Sequence, residues 1–331
     1  MVRVAVDAMG GDRAPEINID GALLALEKFP DLQVILCGPK ALIESKLRGR
    51  KYDQSRLEID DAPELVGMDE HPGKIVRNKP NSGVVRSAVL VRQQQADAAL
   101  SAGNTGAAMA AALFKIGRIS GVERPAIGVP LPVGRKFALL VDAGANADCR
   151  PNQLMQFAKM GSIYANQVLK VANPKVGLLN IGEEPEKGNE LAKEAHNLLS
   201  SANNLNFIGN IEGRDIPAGT ADVIVCDGFV GNIVLKLVEG MWKQFGQMLK
   251  EQIFTGFAGK CAGLTVKGRL DALKKGLDVS EIGGAVLLGI DGVYIISHGS
   301  SDAKAIMNAI RVAKESVQIG LIDRLKQNIT L

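Results

Sequence analysis

Aromatic residues, histidine and cysteine are all scarce in this chain, and each scarcity excludes a kind of site. Phe, Trp and Tyr make up 4% of the 331 residues, and there are only three His and four Cys. No two Cys are spaced as CxxC, so a zinc site is not expected and a reduced, cytosolic compartment is favoured. The sequence also lacks a Walker phosphate loop and a strand followed by GxGxxG, so neither nucleotide-binding motif is present.

Long apolar runs and a strong charge imbalance are missing as well. The longest uncharged run, Ala98–Phe114, is short for a membrane span and contains Ser, Asn, Thr and Gly. A strand pattern begins at once at Met1–Val4, which leaves no room for a signal peptide. The formal net charge of +3 is too small to indicate a nucleic-acid partner. We therefore expect a cytoplasmic protein, and contact with a membrane surface stays open.

Gly, Ala, Val, Leu and Ile dominate the composition, as is typical of parallel strands buried on both faces. The predicted fold class is α/β, a three-layer α/β/α sandwich with a mostly parallel sheet. We find no linker or internal repeat, so residues 1–331 are predicted to form a single domain with a helical arm at about 233–280. Asp291-Gly292 between two apolar runs predicts a β-hairpin. We expect a loop from Arg124-Pro125 toward Gly128–Pro132, an irregular link over residues 207–217 and a polar tail after Ile319.

Five predicted strands run directly into turns rich in Gly, Asp, Asn and Ser. These strands are Val2–Val6, Ala98–Leu100, Phe137–Val141, Val176–Leu179 and Val223–Cys226. In an open α/β sheet, ligands bind outside the carboxyl ends of the strands. Any single turn is explained equally well as a β→α connection that uses Gly for backbone reasons. Five together predict one composite polar cleft.

The turn Ser101–Gly106 is the central feature of this pattern. It follows a buried strand and opens an Ala-rich helix with apolar residues at helical spacing. The unpaired N–H groups of such a helix, together with its dipole, favour a phosphate or an oxyanion. Ser101, Asn104 and Thr105 add side-chain donors at the same place.

Several polar side chains have a structural explanation that competes with a functional one. Asp7 and Asp12 either orient a ligand or cap the helix that follows Pro15. Lys187 either meets a phosphate as a point charge or is a surface lysine at a helix start. His298 follows a strand beside two Ser residues, where a structural histidine is at least as common as a functional one.

The region after Gly231 reads as a long helix, Ile233–Phe254, that leads into an apolar, glycine-rich segment surrounded by lysines. Such a basic, apolar tip is suited to an anionic membrane, a partner subunit or an acidic protein, and packing against its own core is an equally good explanation. The residues predicted to make this contact are Phe254, Phe257, Lys260 and Leu264.

Five motifs, taken together and in order, resemble the bacterial phosphate acyltransferases of phospholipid synthesis, the PlsX family. They are VDAMGGDRAP (6–15), SAGNTGA (101–107), VDAGAN (141–146), CDGFVGN (226–232) and HGSS (298–301). The match extends over essentially the full length, and the set is far more specific than one glycine motif.

The resemblance implies transfer of a long-chain acyl group from acyl-[acyl-carrier-protein] to inorganic phosphate, which gives acyl phosphate for a membrane glycerol-3-phosphate acyltransferase. It further implies an α/β/α homodimer related to phosphotransacetylases and isocitrate-dehydrogenase-like enzymes, peripheral contact with the membrane, and no metal or organic cofactor. The basic segment 74–92 and the arm are expected to steer the acidic carrier protein.

Phosphate is already an anionic nucleophile, so the reaction needs positioning and oxyanion donors rather than a catalytic triad. We assign phosphate to Ser101, Asn104 and Thr105. Asn146, Asn232 or Ser300 is assigned to stabilise the oxyanion. Lys187 or His298 is assigned to offset negative charge or to protonate the departing sulfur. The further predicted substrate-binding residues are Asp7, Gly10, Gly11, Gly103, Gly106, Asp142, Gly144, Asp227, Gly228 and Ser301.

Three other functions remain open from the residues. A short-chain phosphate acyltransferase would share the mechanism and use acyl-coenzyme A. A metal-dependent dehydrogenase would need a clustered Asp trio, which we do not find. A non-catalytic, membrane-docked scaffold would leave the polar strand ends without a purpose.

Overall fold

The computed structural model describes residues 1–67, 70–134, 136–252 and 283–329. The strands are β1 (Val2–Asp7), β2 (Leu32–Gly38), β3 (Leu57–Asp61), β4 (Ala98–Ser101), β5 (Ala126–Val133), β6 (Lys136–Val141), β7 (Lys175–Leu179), β8 (Asn206–Ile211), β9 (Val223–Val225), β10 (Ala285–Leu288) and β11 (Val293–Ile296). They form one sheet in the order β3-β2-β1-β4-β11-β10-β5-β6-β9-β7-β8.

Helices cover both faces of this sheet. They are α1 (Glu16–Lys28), α2 (Lys40–Leu47), α3 (Pro72–Asn78), α4 (Gly83–Arg92), α5 (Thr105–Ala111, continued by a π-helical turn Ala112–Ile116), α6 (Pro151–Gln167), α7 (Glu190–Ser200), α8 (Asp215–Ala218), α9 (Gly228–Gln252), α10 (Ala303–Gln318) and α11 (Leu321–Ile329). Helices α1, α6, α7, α10 and α11 bury their apolar residues on one face, while α3, α4, α5 and α8 pack on the other.

Strand direction reverses in the middle of the sheet. Neighbours are parallel from β3 to β11 and again from β6 to β8. Between these blocks, β11–β10, β10–β5 and β5–β6 are antiparallel, which makes three successive reversals. The ends of β1, β4 and β11 therefore lie at one edge, here called the first edge. The ends of β6, β9 and β7 lie at the opposite, second edge.

The expectation that five strand ends converge on one cleft because they share an edge is therefore wrong. The predicted hairpin across Asp291-Gly292 is confirmed, since β10 and β11 pair antiparallel. However, residues 126–133 were expected to be part of a loop and instead form β5, which pairs antiparallel with β10 on one side and with β6 on the other. β8 was expected to be an irregular link and α11 a polar tail, and both expectations are also wrong.

Adjacent strands at each edge send their helices to opposite faces. At the first edge, α5 follows β4 to one face, whereas α10 follows β11 to the other. At the second edge, α6 follows β6 to one face, whereas Val234 and Leu235 of α9 pack on the other. Such a switch point opens a crevice between the two connections, and this is where α/β sheets bind ligands. The fold therefore offers two crevices.

Candidate functional site

Three turns meet at the first edge, and direct contacts hold them together. The Asp12 N–H donates to the Gly299 carbonyl at 2.9 Å, and the Ser297 N–H donates to the Ser101 carbonyl at 2.9 Å. A Cβ on Gly10 would lie 2.6 Å from the Gly103 nitrogen, so only glycine allows this approach. The turns after β1, β4 and β11 thus form one continuous structure.

Asp7 and Ser101 lie beneath these turns. Asp7 is 4% exposed and Ser101 is fully buried. The Ser101 hydroxyl donates to Asp7 Oδ2 at 2.7 Å, and the Met9 N–H donates to Oδ1 at 3.2 Å. Burial raises the pKa of Asp7 to about 6, and the two hydrogen bonds only partly oppose this rise. Both residues were predicted to bind substrate, and their side chains instead face each other inside the protein.

The Asn104 side chain begins helix α5. Its Oδ1 accepts the Ala107 N–H at 3.0 Å, which is the geometry of an N-cap. Thr105 is exposed at the first helical position, and Gly106 lies against Pro72 of α3, where a Cβ would be only 2.5 Å from the proline ring. The N–H groups of Thr105 and Gly106 belong to the first turn, which has no intrahelical acceptors.

His298 and Ser300 lie on the third turn of the first edge. The two side chains are 2.8 Å apart, and the Ser300 N–H donates to His298 Nδ1 at 3.2 Å. Nδ1 is therefore an acceptor, and a neutral imidazole carries its proton on Nε2. Both side chains are exposed. The adjacent Ser301 carbonyl accepts a hydrogen bond from Arg13 at 3.1 Å.

At the second edge, Asp142 is the buried centre of its own loop. Oδ1 accepts N–H groups from Ile127, Gly144 and Ala145 at 2.9–3.2 Å. Oδ2 accepts both the backbone N–H and the side-chain amide of Asn146 at 2.7 and 2.9 Å. Burial raises the pKa of Asp142 against these donors. A carboxylate used in this way holds a loop in place.

The turn that opens α9 is interlocked with the Asp142 loop. A Cβ on Gly228 would lie 2.8 Å from the Asn146 backbone, and one on Gly231 only 1.9 Å from the Asp142 carbonyl oxygen. Gly144 has a positive φ of +142° and faces the exposed Asn232. Asp227 accepts the Val230 N–H at 2.8 Å, and Asn146 also donates to the Pro125 carbonyl at 2.8 Å.

Lys187 follows β7 at the second edge and is exposed. Its backbone carbonyl accepts the Asn180 side-chain amide at 3.0 Å, which closes the loop that leads to α7. Among the described residues, one group of carboxylates, Glu183, Glu212 and Asp215, has its oxygens close enough to hold a cation. Arg214 already pairs with Glu212 at 2.5 Å.

The structure also shows residues that sequence reasoning missed. Arg118, Arg124 and Arg150 line a concavity of about 860 Å³ near the second edge, and Cys149 lies beside them. Burial raises the pKa of Cys149 to about 12, so its thiol is not a nucleophile at neutral pH. The Arg124-Pro125 pair was visible in the sequence, but its position beside the Asp142 loop depends on β5, which was not predicted.

The predicted contact residues Phe254, Phe257, Lys260 and Leu264 lie outside the described residues. Helix α9, which leads to them, carries an apolar stripe on its described part. Ile233, Leu237 and Met241, four residues apart, are 53%, 60% and 63% exposed. No helix within the described ranges is long and apolar enough to cross a membrane.

Two switch points in a sheet with a reversed centre define the fold class. A phosphotransacetylase from Streptococcus pyogenes superposes with a TM-score of 0.62 at 16% identity, covering 96% of this chain and 94% of that one. The EutD phosphotransacetylase from Staphylococcus aureus gives 0.61 at 16% identity, with the same coverage. The protein therefore has the phosphotransacetylase fold, as the resemblance to the PlsX family implied.

The family follows from the sequence matches. The model of the family described as "Fatty acid synthesis protein" matches residues 2–324. The chain is 51% identical over 330 residues to a phosphate acyltransferase of Desulfitobacterium hafniense (99% of this chain, 98% of that protein). It is 49% identical over 332 residues to one from Gloeobacter violaceus (100% and 97%). The chain belongs to this family of phosphate acyltransferases, and the resemblance stated from its motifs is confirmed.

Proposed function

We propose that this protein transfers a long-chain fatty acyl group from acyl-[acyl-carrier-protein] to inorganic phosphate, giving acyl phosphate for phosphatidic acid synthesis. The main support is the first edge, where three turns in contact with one another bring the N-termini of α5 and α10 to one switch point of the sheet. A phosphate oxygen attacks the thioester carbonyl carbon, the tetrahedral oxyanion collapses, and the C–S bond breaks with the electron pair on sulfur. The carrier leaves as its thiol.

Phosphate binds at the beginning of α5 in this proposal. The first-turn N–H groups of Thr105 and Gly106 and the Thr105 hydroxyl are the donors, and the helix dipole favours the anion. Asn104 holds the first turn in place as the N-cap. No residue has to ionise to make the nucleophile, because phosphate is already charged at neutral pH.

The oxyanion and the leaving sulfur are assigned to the turn after β11. Ser300 and His298 lie there, and the Nε2–H of a neutral His298 is a donor directed away from Ser300. Reacting atoms must approach to about 3–3.5 Å. Asn146, Asn232 and Lys187 lie at the opposite edge, so we propose that they do not share this reaction centre. Asn146, with Asp142, Asp227 and Gly228, holds the base of α9, Asn232 lies on α9 itself, and Lys187 closes the loop that leads to α7.

Asn104→Ala tests the phosphate assignment, with Asn189→Ala as the matched control. Both residues are N-caps that accept an N–H three positions later, at 3.0 and 2.9 Å, and Asn189 caps α7 at the second edge. Each substitution should cost about 1 kcal/mol of stability. The KM for phosphate should rise about tenfold only for Asn104→Ala, because a loosened first turn of α5 weakens the hydrogen bonds of its N–H groups to phosphate, and hydrogen bonds to charged groups contribute about 1.5–3 kcal/mol. An equal KM in both variants would contradict the assignment.

We propose that the carrier protein approaches over α3. Lys74 and Arg77 are exposed on this helix, which packs beside Gly106 at the first edge. Lys79 and Arg86 are instead held by Glu70 and Asp60 at 2.6 and 2.7 Å, so these two belong to the structure. Reversing Lys74 and Arg77 to Glu should raise the KM for acyl-carrier protein and leave the KM for phosphate unchanged.

We propose that the apolar stripe of α9 is covered by a second copy in a homodimer. Exposed apolar side chains repeated every four residues are typical of a helix with a partner. Leu237→Glu should shift the protein toward monomer in sedimentation experiments, and Glu239→Gln on the same helix should not. Peripheral membrane binding is proposed for the arm. Phe257→Glu should lower vesicle binding and leave activity in solution largely intact.

The reaction itself is tested with purified protein, long-chain acyl-carrier protein and radiolabelled phosphate. Label should appear in acyl phosphate as carrier thiol is released, and acyl-coenzyme A should not replace the carrier. Labelling only with acyl-coenzyme A would make the protein a phosphotransacetylase in function as well as fold. Labelling with neither donor would contradict the proposal.

A further inference from the structure

The carboxyl group of Asp7 connects turns that come from two different strands. Through Oδ1 it holds the Met9 N–H in the turn after β1, and through Oδ2 it holds Ser101 at the end of β4. The Ser101 oxygen in turn accepts the Gly103 N–H at 3.2 Å. One buried carboxyl therefore sets the distance between the two turns that flank the start of α5.

We propose that Asp7 and Ser101 are a positioning pair for the phosphate acyltransferase reaction, which fixes the turn Gly103–Gly106 and so aims the first N–H groups of α5 at phosphate. This inference rests on the proposed function and reassigns both residues from substrate contacts to positioning residues. Neither side chain is exposed enough to touch phosphate directly.

The surrounding glycines show that the carboxyl position is closely defined. A Cβ on Gly83, at the start of α4, would lie 2.3 Å from Asp7 Oδ1, and one on Gly10 would lie 2.8 Å from Oδ2. A Cβ on Gly103 would lie 3.4 Å from the Ser101 oxygen. The carboxyl thus fills the space that side chains would occupy at Gly10 and Gly83, and it has little freedom to move.

The hydrogen bonds fit the ionised form of Asp7, because both of its oxygens act as acceptors. A proton on either oxygen removes an acceptor from Met9 or from Ser101 and loosens one turn. The titratable groups facing Asp7 are Cys37 of β2 and Tyr294 of β11, and burial raises the pKa of both, so both stay neutral near pH 6. Beyond Cys37 lies the ion pair Arg86–Asp60 at 2.7 Å.

The test compares kcat/KM for phosphate in the wild type and in Asp7→Asn between pH 5 and 8. Phosphate itself titrates in this range, and the ratio of the two values at each pH cancels that effect. The ratio of wild-type kcat/KM to that of Asp7→Asn should be about 10–100 at pH 8, as expected for lost hydrogen bonds to a charged group. It should then fall by up to about tenfold toward pH 5, because Asp7 loses its charge as the pH falls through its pKa. A ratio that stays constant across the range would overturn the proposal.

Ser101→Ala supplies a second, independent measurement, and Ser87→Ala is its control. Ser87 is also fully buried, but its hydroxyl donates within α4 to the Val84 carbonyl at 3.1 Å. Ser101→Ala should raise the KM for phosphate at least tenfold, and Ser87→Ala should not. In the double variant of Asp7→Asn and Ser101→Ala, the KM for phosphate should be no higher than in the poorer single variant. If Asp7→Asn does not fold, equal phosphate KM values for Ser101→Ala and Ser87→Ala overturn the pair.

The two proposals fail in different ways. A wild type that makes no labelled acyl phosphate contradicts the proposed function. A wild type that makes product, together with a constant ratio and additive variants, contradicts only the positioning pair.

Discussion

The buried carboxyl of Asp7 predicts a particular dependence of stability on pH. Its pKa is about 6 in the folded protein, against an ordinary value of 3.8. Between these values the folded chain binds the proton more tightly than the unfolded chain does, so ionisation of Asp7 lowers the free energy of unfolding as the pH rises. At about 1.36 kcal/mol per pKa unit, the loss is about 3 kcal/mol, complete above pH 6 and absent below about pH 4.

Asp7→Asn removes this ionisation and keeps the shape of the side chain. The free energy of unfolding is measured by urea denaturation at pH 4 to 8. Between these limits the wild type should lose about 3 kcal/mol of stability relative to Asp7→Asn. Asp12→Asn, which removes an exposed carboxyl on the same turn, is the control. Parallel curves for Asp7→Asn would refute the account of a desolvated carboxyl.

Two glycine substitutions test the close contacts at the two edges. Gly83→Ala places a methyl group 2.3 Å from Asp7 Oδ1 and should lower kcat/KM for phosphate at least tenfold, whereas Gly73→Ala, whose nearest neighbour is 3.7 Å away, should not. Gly231→Ala meets a backbone oxygen at 1.9 Å and should destabilise the protein by about 1–3 kcal/mol in thermal unfolding. Gly240→Ala in the same helix meets nothing within 4 Å and should stabilise it by up to about 1 kcal/mol.

Local patterns predicted most of the elements that carry the motifs. The strand and helix around Ser101–Gly106 could be predicted because a short continuous apolar run, Ala98–Leu100, gives way to Ala-rich helical spacing. The Asp291-Gly292 pair predicted the β10–β11 hairpin, although the positive φ in this connection belongs to Gly289 (+90°) and not to Asp291 or Gly292. β5 was missed because Pro130 and Pro132 are breakers in most strands, and here they pair with Leu139 and Phe137 of β6.

The site residues were harder to place than the elements. Asp7 and Asp142 were expected at strand ends, and both are there. The sequence does not show which way each side chain points. Both carboxyls accept N–H groups of their own turns instead of facing out. A strand-end Asp followed by Gly residues has this option, because the glycines leave room for the carboxyl beneath the turn.

The largest error was to place all five strand ends in one cleft, which ignores the reversals of strand direction between them. Two switch points share an edge when an even number of antiparallel pairs separates them, and they lie at opposite edges when the number is odd. The hairpin at Asp291-Gly292 gives one reversal, and β5 adds two, for three in all. The two reversals at β5 cancel, so the predicted hairpin alone puts the ends of β4 and β6 at opposite edges once the order of strands in the sheet is known. Sheet order, however, is set by packing between segments more than 100 residues apart, such as β10 against β5, and no local pattern encodes it.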